Sequence, residues 1–112
     1  MIISIRSGLL AACVSAALAA PVAQAQNVTG DAEAAKNKVS MCIGCHGIPG
    51  YKTAFPKVYH VPKIAGQQPV YIVNALKAYK SGERSHPSMI GIAMSLTEQD
   101  MADLAAYYGG KQ

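Results

Sequence analysis

Five residues, Cys42-Ile43-Gly44-Cys45-His46, constrain this chain more than any other stretch, because they set two thiols three residues apart with an imidazole directly after the second. On one turn of helix, positions i and i+3 share a face, so both sulfurs can reach one edge of a flat partner. A porphyrin offers two vinyl groups on such an edge, and thiols add to them to form thioethers. His46 then brings a ring nitrogen to the metal from one side. This is the spacing that attaches a c-type haem. It specifies cofactor, attachment points (Cys42 and Cys45) and first iron ligand (His46) together, and it requires the remaining chain to wrap around a rigid disc.

The same two cysteines could close a disulfide in an oxidising compartment, or serve a thiol oxidoreductase. A disulfide would close a very small ring and leave the histidine without a role. The oxidoreductase reading predicts a colourless protein with free thiols, whereas thioether attachment predicts a red one whose haem resists acid-acetone.

Residues 1–25 read as an export signal. Arg6 supplies the positive start, Leu9 to Ala20 the apolar run, Pro21 a break and Ala23-Gln24-Ala25 a small-x-small cleavage site. The apolar run falls short of the roughly 20 residues a membrane span needs. Leu10-Ala11-Ala12-Cys13 also has the form of a lipoprotein site, which would anchor the chain at Cys13; its closeness to Arg6 argues for the ordinary signal. Cleavage leaves residues 26–112 as one domain of 87 residues, exported to the periplasm and without stable membrane insertion. Its apolar core is marginal at that size, and a bound porphyrin supplies missing interior. Nine Lys and Arg face six Asp and Glu in this part, with no basic run, so nucleic acid is not an expected partner.

The pattern predicts a first helix over Asp31 to Met41, with Ala35, Val39 and Cys42 on its core side. From Gly47 to Gln68, glycines and prolines predict a long wrapping loop. Pro69 starts a second helix that Gly82 stops, with Ile72, Leu76 and Tyr79 along one stripe. The last helix has Thr97 as N-cap, Asp100 in a capping-box position, a Leu96–Met101 staple and a Gly109-Gly110 end. No alternating strand pattern is present.

A haem with one histidine needs a sixth ligand or an open site, and that choice separates an electron carrier from a gas sensor or peroxidase-like protein. The candidates are His60, His86, Met89, Met94 and Met101. Met101 belongs to the staple and Met94 stands close to the same helix. Met89 lies in the Ser-Pro-rich stretch Ser85-His86-Pro87-Ser88-Met89, where an irregular backbone could present it to a metal. His60 and His86 read as exposed loop histidines.

Several stretches together, namely Cys42-x-x-Cys45-His46, Pro62-Lys63-Ile64-Ala65-Gly66-Gln67, Tyr79-Lys80-Ser81-Gly82-Glu83-Arg84, Met89 and Leu96 to Tyr108, resemble a class I cytochrome c. The likeness is closest to the single-haem cytochrome c-553 group and to one half of a dihaem cytochrome c4. The resemblance implies an all-α, small cytochrome c-like fold of three to four helices and long loops around one covalent haem. It implies thioethers at Cys42 and Cys45, His46 and Met89 as proximal and distal iron ligands with Met94 as fallback, and the Pro62 carbonyl accepting from the His46 ring. The loop from Gly50 to Val61 is longer than in that pattern, which makes Pro56 a competitor for the Pro62 role.

The expected function is outer-sphere transfer of single electrons, not enzymatic catalysis, by a periplasmic monomer. Redox proteins are the expected partners: a bc1-type complex or periplasmic dehydrogenase as donor, a terminal oxidase or reductase as acceptor. Lys52, Lys57 and Lys63 could steer an acidic partner. The competing reading is a haem-based sensor or peroxidase-like protein with a labile distal ligand, which lacks an obvious distal acid or base beyond His60 and His86.

Overall fold

The computed structural model describes residues 28–110. The export segment expected over residues 1–25, Cys13 included, lies outside the described residues. Five helices and one hairpin follow in chain order: α1 (Ala32–Ala35), α2 (Ser40–His46), β1 (Lys52–Thr53), β2 (Tyr59–His60), α3 (Pro69–Ser81), α4 (Pro87–Met94) and α5 (Glu98–Gly109).

The helices dominate, as expected, but exceed the expected three to four for two local reasons. The helix predicted over Asp31 to Met41 is split. After Ala35 the chain turns tightly, with Lys36 N–H donating to Glu33 O (3.1 Å), Lys38 N–H to Ala35 O (2.8 Å) and Met41 N–H to Lys38 O (3.3 Å). Asn37, β-branched Val39 and Ser40 all have modest helix propensity, which weakens a continuous α-helix here. The stretch around Met89, predicted as irregular, is also helical. Pro87 occupies the first turn of α4, where its missing N–H costs nothing, just as Pro69 does in α3. Met89 therefore sits in the first turn of a helix.

The hairpin corrects the expectation of a strand-free loop. Lys52 pairs with His60 and Thr53 with Tyr59 in antiparallel register. Two residues per strand are too few to write a period of two into a sequence. The turn is held locally by Thr53 Oγ1, which accepts from Phe55 N–H at 3.3 Å and donates to Phe55 O at 3.0 Å.

Elements with strong end signals keep their predicted bounds. α3 starts at Pro69 and ends at Gly82, whose φ of 84° only glycine adopts without strain. Thr97 and Asp100 form a reciprocal capping box on α5, with Asp100 N–H donating to Thr97 Oγ1 at 3.1 Å and Thr97 N–H to Asp100 Oδ2 at 2.8 Å. The staple residues Leu96 and Met101 are both buried.

α5 is the hub: it packs on α1 and α3, and α3 packs on α4. The buried cluster is Ala35, Ile72, Leu96, Met101, Leu104, Ala105 and Tyr108. The segment before α1 lies so close to α5 that a Cβ on Gly30 would come within 2.0 Å of the Ala102 carbonyl oxygen. Asp103, 2% exposed, ties that segment down. Its Oδ1 accepts from Asp31 N–H at 2.8 Å and from Gln99 Nε2 at 2.7 Å, and Gln99 also donates to Thr29 O at 2.9 Å. Charge-assisted hydrogen bonds offset the cost of burying this carboxylate.

Lys38 pairs with Asp100. That ammonium, followed by the Thr97 backbone N–H, holds the Asp100 carboxyl down to about 2. An unfolded Asp titrates near about 3.9, so the contribution of this group is complete above about pH 4 and is lost as pH falls towards its folded value. In acid titrations of stability, the wild type will fall more steeply than Asp100→Asn between those two values. Asp103→Ala, which strands two donors, will lower unfolding stability by about 1.5–3 kcal/mol, read from denaturant curves.

Candidate cofactor site

A cleft of about 430 Å³ opens between α2, the chain after β2, α3, α4 and α5. That is within the size range of small-molecule and cofactor sites. Cys42, Cys45 and His46 line it from α2, Pro62 and Ile64 from the following segment, Leu76 and Tyr79 from α3, and Met89 and Ile92 from α4. Its floor is the outside of the core, because Ile72, Leu96, Leu104 and Tyr108 belong to both.

α2 brings the two sulfurs to one wall at the i, i+3 spacing. Cys42 is half-buried against the core and Cys45 is exposed. Burial pushes the Cys42 thiol up, with a hydrogen bond to the Tyr108 hydroxyl acting in the opposite sense. Burial, with Cys42 beside it, likewise holds the Tyr108 phenol above its usual range. Both groups are therefore neutral at physiological pH, which suits an apolar floor.

His46 Nδ1 lies 2.6 Å from the Pro62 carbonyl oxygen. A carbonyl can only accept, so Nδ1 carries the proton and Nε2 keeps its lone pair for a metal. Pro56 does not compete: it stands in the exposed hairpin turn, sixteen-residue separation and contact alike belonging to Pro62.

The candidate methionines separate by position, and Met41 of α2 also lines the cleft. Met89 is partly buried and lines the cleft. Met94, the last residue of α4, is 59% exposed and outside the lining, and Met101 is fully buried in the core. His60 is exposed on β2 and outside the lining. His86 departs from the expected exposed loop histidine, since it is partly buried and lines the cleft.

Sequence reasoning also missed the polar corner beside His86. Tyr59 from β2 and Arg84 from the turn after α3 line the same cleft. The Arg84 guanidinium stacks 4.8 Å over the Tyr79 ring and reaches the Tyr71 hydroxyl at 3.4 Å. Arg84 stands just beyond the Gly82 stop, but nothing in the sequence says that the chain folds it back.

Neutral sulfurs, an imidazole with a free lone pair and apolar walls fit a metalloporphyrin. Among the described residues no group of three His, Cys, Asp or Glu is placed to hold a bare metal ion. The Cytochrome c family profile matches residues 32–108. The chain belongs to the cytochrome c family. It is 36% identical over 86 residues to cytochrome c-554(548) of Halomonas halodenitrificans, covering 74% of this chain and 99% of that protein. It is 35% identical over 86 residues to cytochrome c4 of Pseudomonas aeruginosa, covering 77% of this chain but 41% of that one. The crystal structure of reduced recombinant cytochrome c4 from Pseudomonas stutzeri superposes with a TM-score of 0.60 at 34% identity, over 75% of this chain and 47% of that chain. The chain thus spans less than half of the cytochromes c4 that it matches. As a cytochrome c it binds haem c covalently, with its iron, and it functions in electron transfer. Acid-acetone extraction will leave the haem on the wild-type protein, whereas Cys42→Ala/Cys45→Ala will release any haem it retains into the organic phase.

Proposed function

We propose that this cytochrome is a single-haem electron carrier in which His46 and Met89 hold the iron from opposite faces. The observation that carries the reading is that His46 of α2 and Met89 of α4 line one cleft, while Met94 and Met101 point to solvent and core. Cys42 and Cys45 fasten the haem by thioethers on the His46 side. The Pro62 carbonyl orients the His46 ring and raises its basicity as a ligand.

A neutral thioether opposite an imidazole favours ferrous over ferric iron and raises the reduction potential. Held by both His46 and Met89, the iron would offer substrate no open site, and the chain would carry charge without making bonds. Met89 stands on a helix packed against α3, and His46 follows Cys42, which packs against the core, an arrangement that would limit rearrangement between oxidation states.

We place the carrier in the periplasm, exported by the segment over residues 1–25 and working as a soluble domain over 26–112. Among the described residues, no helix is long and apolar enough to cross a membrane. Its donor would be a bc1-type complex or a periplasmic dehydrogenase, and its acceptor a terminal oxidase or reductase. Between His46 and Glu83 the sequence has lysines but no acidic residue. Lys63 lines the cleft, and Lys52 and Lys57 are exposed on the hairpin beside it. This single-sign rim suits weak, salt-sensitive encounters with acidic partners.

Visible spectra of purified protein in both oxidation states test the ligand assignment. Met89→Ala will lose the methionine-to-ferric-iron charge-transfer band and bind cyanide or carbon monoxide readily; Met94→Ala will keep the band. Loss of the band in Met94→Ala alone would overturn the assignment.

A further inference from the structure

The chain has one phenylalanine, and it stands in water. Phe55, in the turn of the β1–β2 hairpin, is 65% exposed, Val58 in the same turn is 74% exposed, and Tyr59 leaves half of its surface to solvent. Exposed apolar residues scattered singly need no explanation, but these are clustered at one tip. The tip is also held in shape. Lys52 and Thr53 pair with His60 and Tyr59, Val61 N–H donates to Tyr51 O at 3.0 Å, and Thr53 Oγ1 braces Phe55. A surface ordered in advance loses less entropy when it binds.

Charge singles out the same region. Lys36, Lys38 and Lys77 pair with Glu33, Asp100 and Glu98, and Lys80 donates to the Leu96 carbonyl. Lys52, Lys57 and Lys63 are exposed and make no ion pair among the described residues. Uncompensated positive charge therefore gathers on the hairpin and the segment after it. Thr53 and Tyr59 of the hairpin line the cofactor cleft, so whatever rests on the tip rests beside that cleft.

We propose that the hairpin tip is a docking site for an acidic electron-transfer protein, with Phe55 and Val58 entering an apolar hollow whose bordering carboxylates meet Lys52, Lys57 and Lys63. This rests on the carrier reading above and adds the element that grips the partner. Apolar side chains at the centre of such a contact set how tightly it holds, and charges at its rim set how salt weakens it. An anionic lipid surface would also attract an apolar tip among lysines. It would lie across the mouth of the cleft, where a carrier has to bring its partner's redox centre.

The probe is oxidised flavodoxin, a small electron carrier whose apolar flavin edge is bordered by carboxylates. It is titrated into ferric, haem-loaded protein at several ionic strengths and followed by amide resonances, with no electron exchanged. Shifts will centre on residues 52–60 and on Lys63. Phe55→Ser/Val58→Ser will raise the dissociation constant about five- to tenfold at every ionic strength. Lys52→Gln/Lys57→Gln will weaken binding at low ionic strength and flatten its fall with salt. Val70→Ser, at an exposed valine outside the cleft, and Lys36→Gln, at a lysine already paired, will leave both quantities nearly unchanged. Visible spectra of all variants will match the wild type. Absence of saturable binding, shifts centred on α1 or α5, or an affinity indifferent to Phe55→Ser/Val58→Ser would overturn the proposal. So would co-sedimentation with phosphatidylglycerol vesicles that these two substitutions abolish, which would make the tip a membrane contact. A wild-type spectrum lacking the methionine band would instead overturn the ligand assignment and leave these affinities readable.

Discussion

The constraint on which this structure depends is that its cofactor cleft and its hydrophobic core are two sides of one layer of side chains. Ile72, Leu96, Leu104 and Tyr108 are buried among themselves and also floor the cleft. A small domain buries a smaller fraction of its surface on folding than a large one does. Filling the cleft with a porphyrin covers the outer side of those residues at the general worth of about 25 cal/mol per Å² of apolar surface. Covalent attachment of haem c makes that filling permanent. Fold and function are therefore joined: the disc that completes the interior is the group that carries the electron.

The other elements follow from holding that layer in place. α5 is the most strongly specified helix, with a reciprocal cap at Thr97 and Asp100, a buried staple, and Asp103 reaching back to the chain before α1. α3 lies against it and carries α4, so Met89 is placed by packed helices and not by a loop. On the opposite side a single hydrogen bond from His46 to Pro62 connects α2 to the segment that follows the hairpin. His46 and Met89 thus stand on separately supported elements that line one cleft.

How far the sequence revealed this varies with the kind of signal. Where an end is written in local chemistry, as in Pro69 and Gly82 around α3 or Thr97 and Asp100 on α5, the expected bounds and the observed ones agree. The same rule applied to Pro87 finds α4, whereas the Ser-Pro composition of that stretch points to a loop. The split after Ala35 is a matter of small propensity differences that a pattern of apolar spacing cannot register. The β1–β2 hairpin is too short to leave a period. At the site, Cys42, Cys45 and His46 are legible because their chemistry is contiguous. Arg84, Tyr59 and His86 are not, because they converge from separate turns, and only the folded chain brings them to one corner.

The most direct measurement is amide hydrogen exchange on the haem-loaded protein and on Cys42→Ala/Cys45→Ala purified free of haem. If the porphyrin completes the core, protection will be high across α3 and α5 in the loaded protein and will collapse across both helices, not only at the cleft wall, when it is absent. Protection of α3 and α5 that persists without haem would show a core that stands by itself, and would contradict the account.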